Sequence, residues 1–177
     1  MIRVISKIIL SNILGWKIIG SLPKEKKYII AVVPHSRSFD LLVAILIRSS
    51  LGLKIKFIGK KELFNPFTSF FFKSIGGIPV DRGKKNNFVE SVIELFESNK
   101  INILAIAPEG TRKKVKKWKS GFYHIAFGAK IPIVMVSFDY VKKEININDK
   151  IFPSGNFDDD IKILESLVID VATKIKN

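Results

Sequence analysis

Short runs of β-branched apolar residues alternate along the chain with segments of helical length. The apolar runs cover residues 28–33, 55–59, 76–80, 101–107 and 131–138. The helical segments cover residues 39–51, 62–74, 86–99, 119–129 and 158–176. Strands that alternate with helices pair in parallel, because each helix returns the chain to the start of the next strand and covers a face of the sheet. The pattern therefore predicts an α/β fold with a central, largely parallel sheet flanked by helices.

Composition limits the class of protein and of site. The chain has 177 residues, of which 47% are hydrophobic, as expected for one globular domain. It contains no cysteine, which excludes disulfides, thiolate metal sites and a cysteine nucleophile. The formal net charge of +14 favours an anionic partner, such as nucleic acid, lipid headgroups or a phosphorylated substrate. A lysine-rich composition from an AT-rich genome would explain the same charge, so charge alone does not select the partner.

The first 22 residues are apolar but carry interrupting charges. No stretch reaches the roughly 18 to 20 uninterrupted apolar residues that a membrane-spanning helix needs. The pattern predicts a short amphipathic helix in the membrane interface, with Ile9, Ile13 and Trp16 towards the lipid. A first helix packed on the protein's own core is the alternative. The chain is accordingly divided into an interfacial helix at 1–22 and a second domain at 23–177.

His35 and Asp40 form a polar cluster directly after the first predicted strand. On a continuous helix, five residues turn the chain by about 500°, which would point the two side chains apart. If Pro34 ends the strand and the helix begins near Ser38, Asp40 falls in the first turn and can reach back to the imidazole. A carboxylate on one ring nitrogen leaves the other nitrogen as a general base. Because no G-x-S-x-G elbow is present, the activated hydroxyl would belong to a substrate; a capping role for the pair is the alternative.

A second polar cluster follows the predicted strand at 101–107. It comprises Glu109, Gly110, Thr111 and Arg112. The glycine permits a tight turn, and the planar guanidinium matches the oxygens of a phosphate. Arg82 follows the strand at 76–80 in the same manner. In parallel sheets, sites assemble beyond the carboxyl ends of the strands, so the two arginines are candidates for an anion clamp, with surface ion pairs as the alternative.

Taken together, these motifs resemble those of the 1-acylglycerol-3-phosphate acyltransferases (lysophosphatidic acid acyltransferases), a family of glycerolipid acyltransferases. The resemblance extends from about residue 28 to residue 138. Its motifs, in order, are H-x-x-x-x-D at 35–40, "GKKELF" followed by "GGIPVDR", E-G-T-R at 109–112, "WKSGFYHIA", and a proline-bearing strand at 131–134. The family commonly has Asn and Ser where this chain has Pro34 and Arg37. These two differences leave the identity of the acceptor open.

The resemblance implies transfer of a fatty acyl group from acyl-CoA or acyl-carrier protein to a lysophospholipid hydroxyl, without a covalent acyl-enzyme. The expected acceptor is 1-acyl-glycerol-3-phosphate, which would give phosphatidic acid in phospholipid biosynthesis. By position, His35 is the base and Asp40 orients it. The residues implied in substrate binding are Lys60, Lys61, Arg82, Glu109, Gly110, Thr111 and Arg112, with Pro132 in a motif linked to the acyl donor. No metal and no cofactor beyond the acyl donor as co-substrate is implied.

A lipid substrate makes the membrane surface an expected partner. The segment 64–77 is rich in phenylalanine, and we expect Phe67, Phe70 and Phe71 to form an exposed patch that dips into the bilayer. Packing of this segment in the core is the alternative. The predicted location is peripheral or monotopic, on the cytoplasmic face of a bacterial membrane.

Two other functions remain to be separated from this one. Within the same class, the acceptor could be another lysophospholipid, an amino-acid lipid or a sterol-like alcohol. From a different class, the basic run at 111–120 with Trp118 is compatible with a nucleic-acid-binding module. Following the E-G-T-R motif, we interpret this run instead as a basic rim that faces phospholipid or the phosphates of the acyl donor, and we expect no nucleic acid as a partner.

Overall fold

The computed structural model of the chain describes residues 1–34, 39–80, 85–111, 115 and 117–168, apart from the side chains of residues 60 and 85–87. The strands are β1 (Lys17–Ile19), β2 (Tyr28–Val32), β3 (Ile55–Lys60), β4 (Gly77–Val80), β5 (Ile103–Ile106), β6 (Ile133–Asp139) and β7 (Glu144–Ile151). The helices are α1 (Ile2–Ile8), α2 (Asp40–Leu51), α3 (Ser69–Ser74), α4 (Lys85–Glu97), α5 (Gly121–Gly128) and α6 (Phe157–Ser166). A π-helical turn (Ile9–Ile13) extends α1, and a 3-10 turn (Lys61–Phe64) follows β3.

The described strands form one seven-stranded sheet in the order β1-β7-β6-β2-β5-β3-β4. All neighbouring strands are parallel except β6 and β7, which are antiparallel. The central strand β2 pairs with β5 on one side and β6 on the other. The predicted α/β class with a largely parallel sheet is confirmed.

Strand β2 shows how the sheet builds a core on each of its faces. Successive side chains of a strand point to opposite faces. Ile29 and Ala31 therefore join the buried cluster formed with α4, α5 and α6, whereas Ile30 joins the cluster formed with α2 and Trp16. Burial on both faces explains why the residues of β2 read as a continuous apolar run rather than as an alternating pattern.

Two strands, β1 and β7, were not predicted from the sequence. Strand β1 has three residues, too few for a periodic signal. Strand β7 is mostly half-buried or exposed, and its many polar residues are also typical of loops, so the sequence did not indicate a strand. The helix predicted at 62–74 is also shorter than expected. The Asn65 side chain accepts hydrogen bonds from the backbone N–H groups of Phe67 and Thr68, both at 3.0 Å, and α3 begins only at Ser69.

The N-terminal helical segment, residues 2–13, lies antiparallel to α2. The Nε of Arg3 donates to the Ser50 carbonyl at 3.0 Å, near the end of α2. At the other end, the chain turns at Gly15, whose φ is +74°, and directs Trp16 into the core. Trp16 is only 4% exposed and packs against Phe138 at a centroid distance of 6.2 Å. The prediction that Trp16 faces lipid is therefore wrong, because the helix ends before it.

The rest of the predicted lipid-facing side is more exposed. The Ile13 side chain is 69% exposed and Ile9 is half-buried. The amphipathic helix thus covers residues 2–13 rather than the whole of 1–22. Within the residues that the structure describes, no helix is both long enough and apolar enough to cross a membrane.

Candidate active site

Strands β2, β3, β5 and β6 are parallel, so their carboxyl ends lie along one edge of the sheet. Here "edge" means the line of strand ends and not an outer strand. Asp40 begins the helix after β2, Lys61 directly follows β3, and the E-G-T turn follows β5. Tyr140 comes directly after β6. The edge beyond the carboxyl ends of the strands is where sites form in open α/β sheets. The fold therefore brings two of the predicted motifs together at a place suited to a ligand.

Asp40 lies in the first turn of α2, as predicted from the spacing of five residues between it and His35 in the sequence. Its side chain is 2% exposed, and its Oδ1 accepts a hydrogen bond from the hydroxyl of Tyr140. A carboxylate buried to this degree needs hydrogen-bond donors or a compensating charge. The position at a helix N-terminus also favours its negative charge. Asp40 is thus a fixed and buried acid at the edge of the sheet.

His35, Arg82 and Arg112 lie outside the described residues, as does the side chain of Lys60. The structure describes the chain up to Pro34, which follows a cis peptide bond, and again from Phe39. The roles predicted for these four residues therefore stay predictions.

The turn formed by Glu109 and Gly110 is closed by backbone hydrogen bonds. The N–H of Gly110 donates to the Ala107 carbonyl at 3.0 Å, and the N–H of Lys119 donates to the Pro108 carbonyl at 2.9 Å. Gly110 has a φ of +62°, a left-handed conformation that favours glycine. Lys119 is thereby held next to the E-G-T turn through its own backbone.

A cavity of about 640 Å³ opens beside this turn. Gly110 and Lys119 line it together with the end of β5, the start of α5 and, from α4, Phe88 and Val89. Its volume falls within the roughly 300 to 1,000 Å³ of typical ligand sites. Lys119 was not among the predicted site residues, although the motif "WKSGFYHIA" contains it; the surrounding run of lysines gave no reason to select this one. We name this space the strand-end cavity.

A second, smaller cavity lies on the other face of the sheet, between α2 and the strands. Its volume is about 110 Å³, and its lining is almost entirely apolar. Leu41, the residue after Asp40, lines it, and so do Ala44 of the same helix and Val32 of β2. Arg48 also contributes to the lining, and its guanidinium donates to the Ile75 carbonyl at 2.7 Å. We name this space the apolar cavity.

Pro132 does not belong to this edge of the sheet. It directly precedes β6, whose first residue, Ile133, pairs with Ile29 at the start of β2. Seven residues of strand span about 20 Å, so Pro132 lies near the opposite edge. It is buried, and its carbonyl accepts from the Ile29 N–H at 2.9 Å. Pro132 therefore lies apart from Asp40 and the E-G-T turn, and its role in substrate binding stays a prediction.

The phenylalanine-rich segment divides into packed and exposed side chains. Phe64 and Phe72 are half-buried and their ring centroids are 5.7 Å apart. By contrast, Phe67 is 94% exposed, Phe70 84% and Phe71 53%. The three residues predicted to form an exposed patch are therefore exposed, whereas core packing accounts for the other two. We name the three exposed side chains the phenylalanine patch.

Two aromatic residues near the basic run have structural partners. Trp118 is half-buried and packs edge-on against Phe122, with a centroid distance of 6.4 Å. A tryptophan held in this way is poorly placed to stack on a nucleic-acid base. His124, which lines the strand-end cavity, stacks on Phe157 at 6.1 Å. Trp118, the aromatic residue that was compatible with nucleic-acid binding, thus packs at the boundary of the core.

Tyr123 and Asp160 form a second tyrosine–carboxylate pair on the face of the sheet that α5 and α6 cover. The Tyr123 hydroxyl donates to Oδ2 of Asp160 at 2.7 Å. Burial, together with the neighbouring carboxylate, raises the pKa of Tyr123. Burial alone would raise the pKa of Asp160, but hydrogen bonds from Tyr123 and Ser154 outweigh it and lower that pKa. This pair joins α5 to α6 and serves the scaffold.

Comparison with known proteins identifies a family. The sequence matches the family described as Acyltransferase over residues 17–139. The 1-acyl-sn-glycerol-3-phosphate acyltransferase of Salmonella typhimurium is 27% identical over 126 residues, which cover 67% of this chain and 50% of that protein. The enzyme of the same name from Haemophilus influenzae is 25% identical over 182 residues, covering 90% of this chain and 74% of the relative. The chain thus spans about half the length of the Salmonella relative.

A solved structure has the same fold. It is the 1-acyl-sn-glycerophosphate (LPA) acyltransferase of Thermotoga maritima, with a TM-score of 0.68 and 20% sequence identity. The likeness covers 99% of this chain and 78% of that one.

Proposed function

Since the chain belongs to the acyltransferase family, we propose that it moves a fatty acyl group from a thioester donor to the free hydroxyl of a lysophospholipid. The donor is acyl-CoA or acyl-carrier protein. The acceptor is 1-acylglycerol-3-phosphate and the product phosphatidic acid, in keeping with the names of the relatives from Salmonella and Haemophilus.

One observation carries the proposal: a buried carboxylate, Asp40, lies in the first turn of α2, five residues after a histidine in the sequence. In the proposed mechanism, His35 takes the proton of the acceptor hydroxyl, and Asp40 orients the imidazole and stabilises its cation. The hydroxyl oxygen attacks the thioester carbonyl carbon, and the carbon–sulfur bond breaks. The thiolate then takes the proton from the imidazolium. The mechanism needs no acyl-enzyme, because a thioester is already activated for attack by the acceptor hydroxyl.

The acceptor's phosphate needs cations near this base. Arg82 and Arg112 are assigned this role from their motifs, with Lys60 and Lys61 assisting. Lys119 adds a cation that lines the strand-end cavity beside Gly110. The volume of that cavity lies in the range of ligand sites, and its lining combines Lys119 and Ser120 with apolar side chains. Glu109 and Thr111 flank the glycine and shape the same turn.

The apolar cavity is the candidate place for the end of an acyl chain. It starts next to Asp40, at Leu41, and almost no polar surface lines it. An engineered apolar cavity of about 150 Å³ stays dry and binds benzene, so a space of about 110 Å³ can take a short apolar group. Filling it with a larger side chain, as in Ala44→Leu, would favour donors with shorter chains.

The lipid substrate requires docking to a membrane. We assign docking to the phenylalanine patch, to the exposed apolar side chains of residues 2–13 and to the lysines of residues 113–119. Such a combination binds anionic lipid both by apolar insertion and by charge. The proposed location is peripheral or monotopic, on the cytoplasmic face of the membrane.

A substrate panel tests the proposed function. Purified protein is incubated with lysophosphatidic acid, other lysophospholipids, amino-acid lipids and a sterol, each with acyl-CoA and with acyl-carrier-protein donors. Products are identified by mass. Phosphatidic acid from lysophosphatidic acid is the expected product. Acylation of a different lipid would retain the acyltransferase and replace the acceptor, whereas no acylation with any pair would contradict the proposal.

A further inference from the structure

We propose that Tyr140 is a positioning residue for the reaction. The Tyr140 hydroxyl fixes the carboxylate of Asp40, and Trp16 in turn fixes the ring of Tyr140. The inference rests on the proposed function, in which Asp40 orients the base. It adds a residue that follows β6 and lies outside the family match at 17–139.

The contact between Tyr140 and Asp40 joins distant parts of the chain. The two residues are 100 positions apart, and the tyrosine hydroxyl donates to Oδ1 of the carboxylate. Since β2 and β6 are parallel neighbours, the residues that follow them meet at the same edge of the sheet. Asp40 is buried, so this donor compensates part of the cost of taking its charge out of water.

Trp16 holds the tyrosine ring from behind. Its ring meets that of Tyr140 edge-on, with centroids 5.1 Å apart and an interplanar angle of 85°. Trp16 is itself fixed, because its backbone N–H donates to the Leu10 carbonyl at 2.9 Å and its side chain is 4% exposed. A chain of contacts thus runs from the N-terminal helical segment through Trp16 and Tyr140 to Asp40.

The expected role follows from what a fixed carboxylate does. With Oδ1 held by the tyrosine, the carboxylate of Asp40 keeps its orientation, and in the proposed mechanism Asp40 in turn orients the imidazole. Tyr140 acts only through Asp40, so losing its hydroxyl should lower kcat and leave KM for both substrates nearly unchanged. A structural role alone would lower stability without this division between kcat and KM.

The test compares Tyr140→Phe with Tyr123→Phe. Both substitutions remove a tyrosine hydroxyl that donates to an aspartate, but Tyr123 lies on the scaffold pair with Asp160. We expect Tyr140→Phe to lower kcat roughly ten- to hundredfold, as for the loss of a hydrogen bond to a charged group. Tyr123→Phe should keep kcat within about twofold of the unsubstituted enzyme. Thermal unfolding curves identify a temperature at which all the variants are folded, and kcat is compared at that temperature.

A double-mutant cycle decides whether Tyr140 acts through Asp40. In the Asp40→Ala background, adding Tyr140→Phe should lower kcat no further. A further full loss of kcat in the Asp40→Ala background would overturn this inference, and so would an unchanged kcat in Tyr140→Phe alone. In both cases a strongly impaired Asp40→Ala variant would leave the proposed function standing. Near-normal activity of Asp40→Ala would overturn the proposed mechanism itself.

Discussion

The side chain of Lys119 lies across Gly110. A Cβ atom on Gly110 would be 2.9 Å from Cδ, Cε and Nζ of Lys119, closer than real Cβ contacts allow. The lysine side chain therefore occupies the space that a side chain at residue 110 would fill, while a backbone hydrogen bond to Pro108 holds the residue itself beside the turn. This relationship links the E-G-T-R motif to a cation of the motif "WKSGFYHIA" that was not among the predicted site residues.

Gly110→Ala should damage the site in two ways. The φ of +62° places an L-residue in the left-handed region, at a cost of roughly 1 to 2 kcal/mol, and the new methyl group displaces Lys119. We expect a lower free energy of unfolding in urea and a higher KM for the phosphate-bearing acceptor. Gly155→Ala is the control, because its φ of +102° is also positive but Phe127 is its neighbour. An unchanged KM in Gly110→Ala, with the stability loss alone, would contradict the link to Lys119.

Lys119→Met keeps the length of the side chain and removes its charge. Because Lys119 is exposed, its attraction to a phosphate is partly screened, and we expect KM for the acceptor to rise roughly two- to fivefold, with a smaller rise at high salt. Lys117→Met makes the same change in net charge at an exposed residue that does not line the strand-end cavity. Equal effects from the two variants, measured by initial rates, would show that only the overall charge matters.

The phenylalanine patch should bind lipid vesicles by insertion. Replacing Phe67, Phe70 and Phe71 together by serine removes exposed apolar area without opening the core, so binding to anionic vesicles at high salt should fall strongly. The control is Phe152→Ser, which changes a side chain that is 54% exposed beyond β7. Flotation with vesicles at low and high salt measures both. Full binding by the triple variant at high salt would exclude the patch as the docking surface.

Asp160 should contribute stability that depends on pH. Its pKa in the folded protein lies below the ordinary 3.8, because hydrogen bonds from Tyr123 and Ser154 outweigh the effect of burial. A lowered pKa in the folded state gives stability that is present above pH 3.8 and is lost as the pH falls through the folded-state pKa. Asp160→Asn should therefore cost roughly 1 to 3 kcal/mol at neutral pH and less in acid.

Urea unfolding at a series of pH values measures this difference. Asp158→Asn is the matched control, since it makes the same charge change at an exposed position in the same helical turn. A constant difference between Asp160→Asn and the unsubstituted protein down to about pH 3 would contradict the assignment.

The sequence predicted those parts of the fold that local patterns determine. The apolar runs that became β2 and β6 are buried, so they show as continuous hydrophobic segments, and the less buried β3, β4 and β5 were also found from apolar runs. Strand β7 could not be found in this way, because its apolar residues are separated by polar ones and form no continuous run, although Ile145 is buried in the core. For Trp16, the apolar pattern predicts neither that the helix ends at Ile13 nor whether lipid or protein covers the tryptophan.

The site was predictable to the extent that motifs lie next to strand ends. Asp40 and Gly110 were found because each follows an apolar run within a few residues. Tyr140 was not found, since only the pairing of β2 with β6 brings it to Asp40. Pro132 also belongs to a motif, but the motif did not show that strand direction puts this residue at the opposite end of β6 from Asp40.

The most direct test of the central claim is the initial rate of acyl transfer to lysophosphatidic acid by the unsubstituted protein and by His35→Ala. We expect phosphatidic acid from the first and a rate lower by roughly 10² to 10⁴-fold from the second, the range for loss of a general base. Unfolding curves should show the variant to be folded. A folded His35→Ala protein that forms phosphatidic acid at a near-normal rate would show that His35 is not the base.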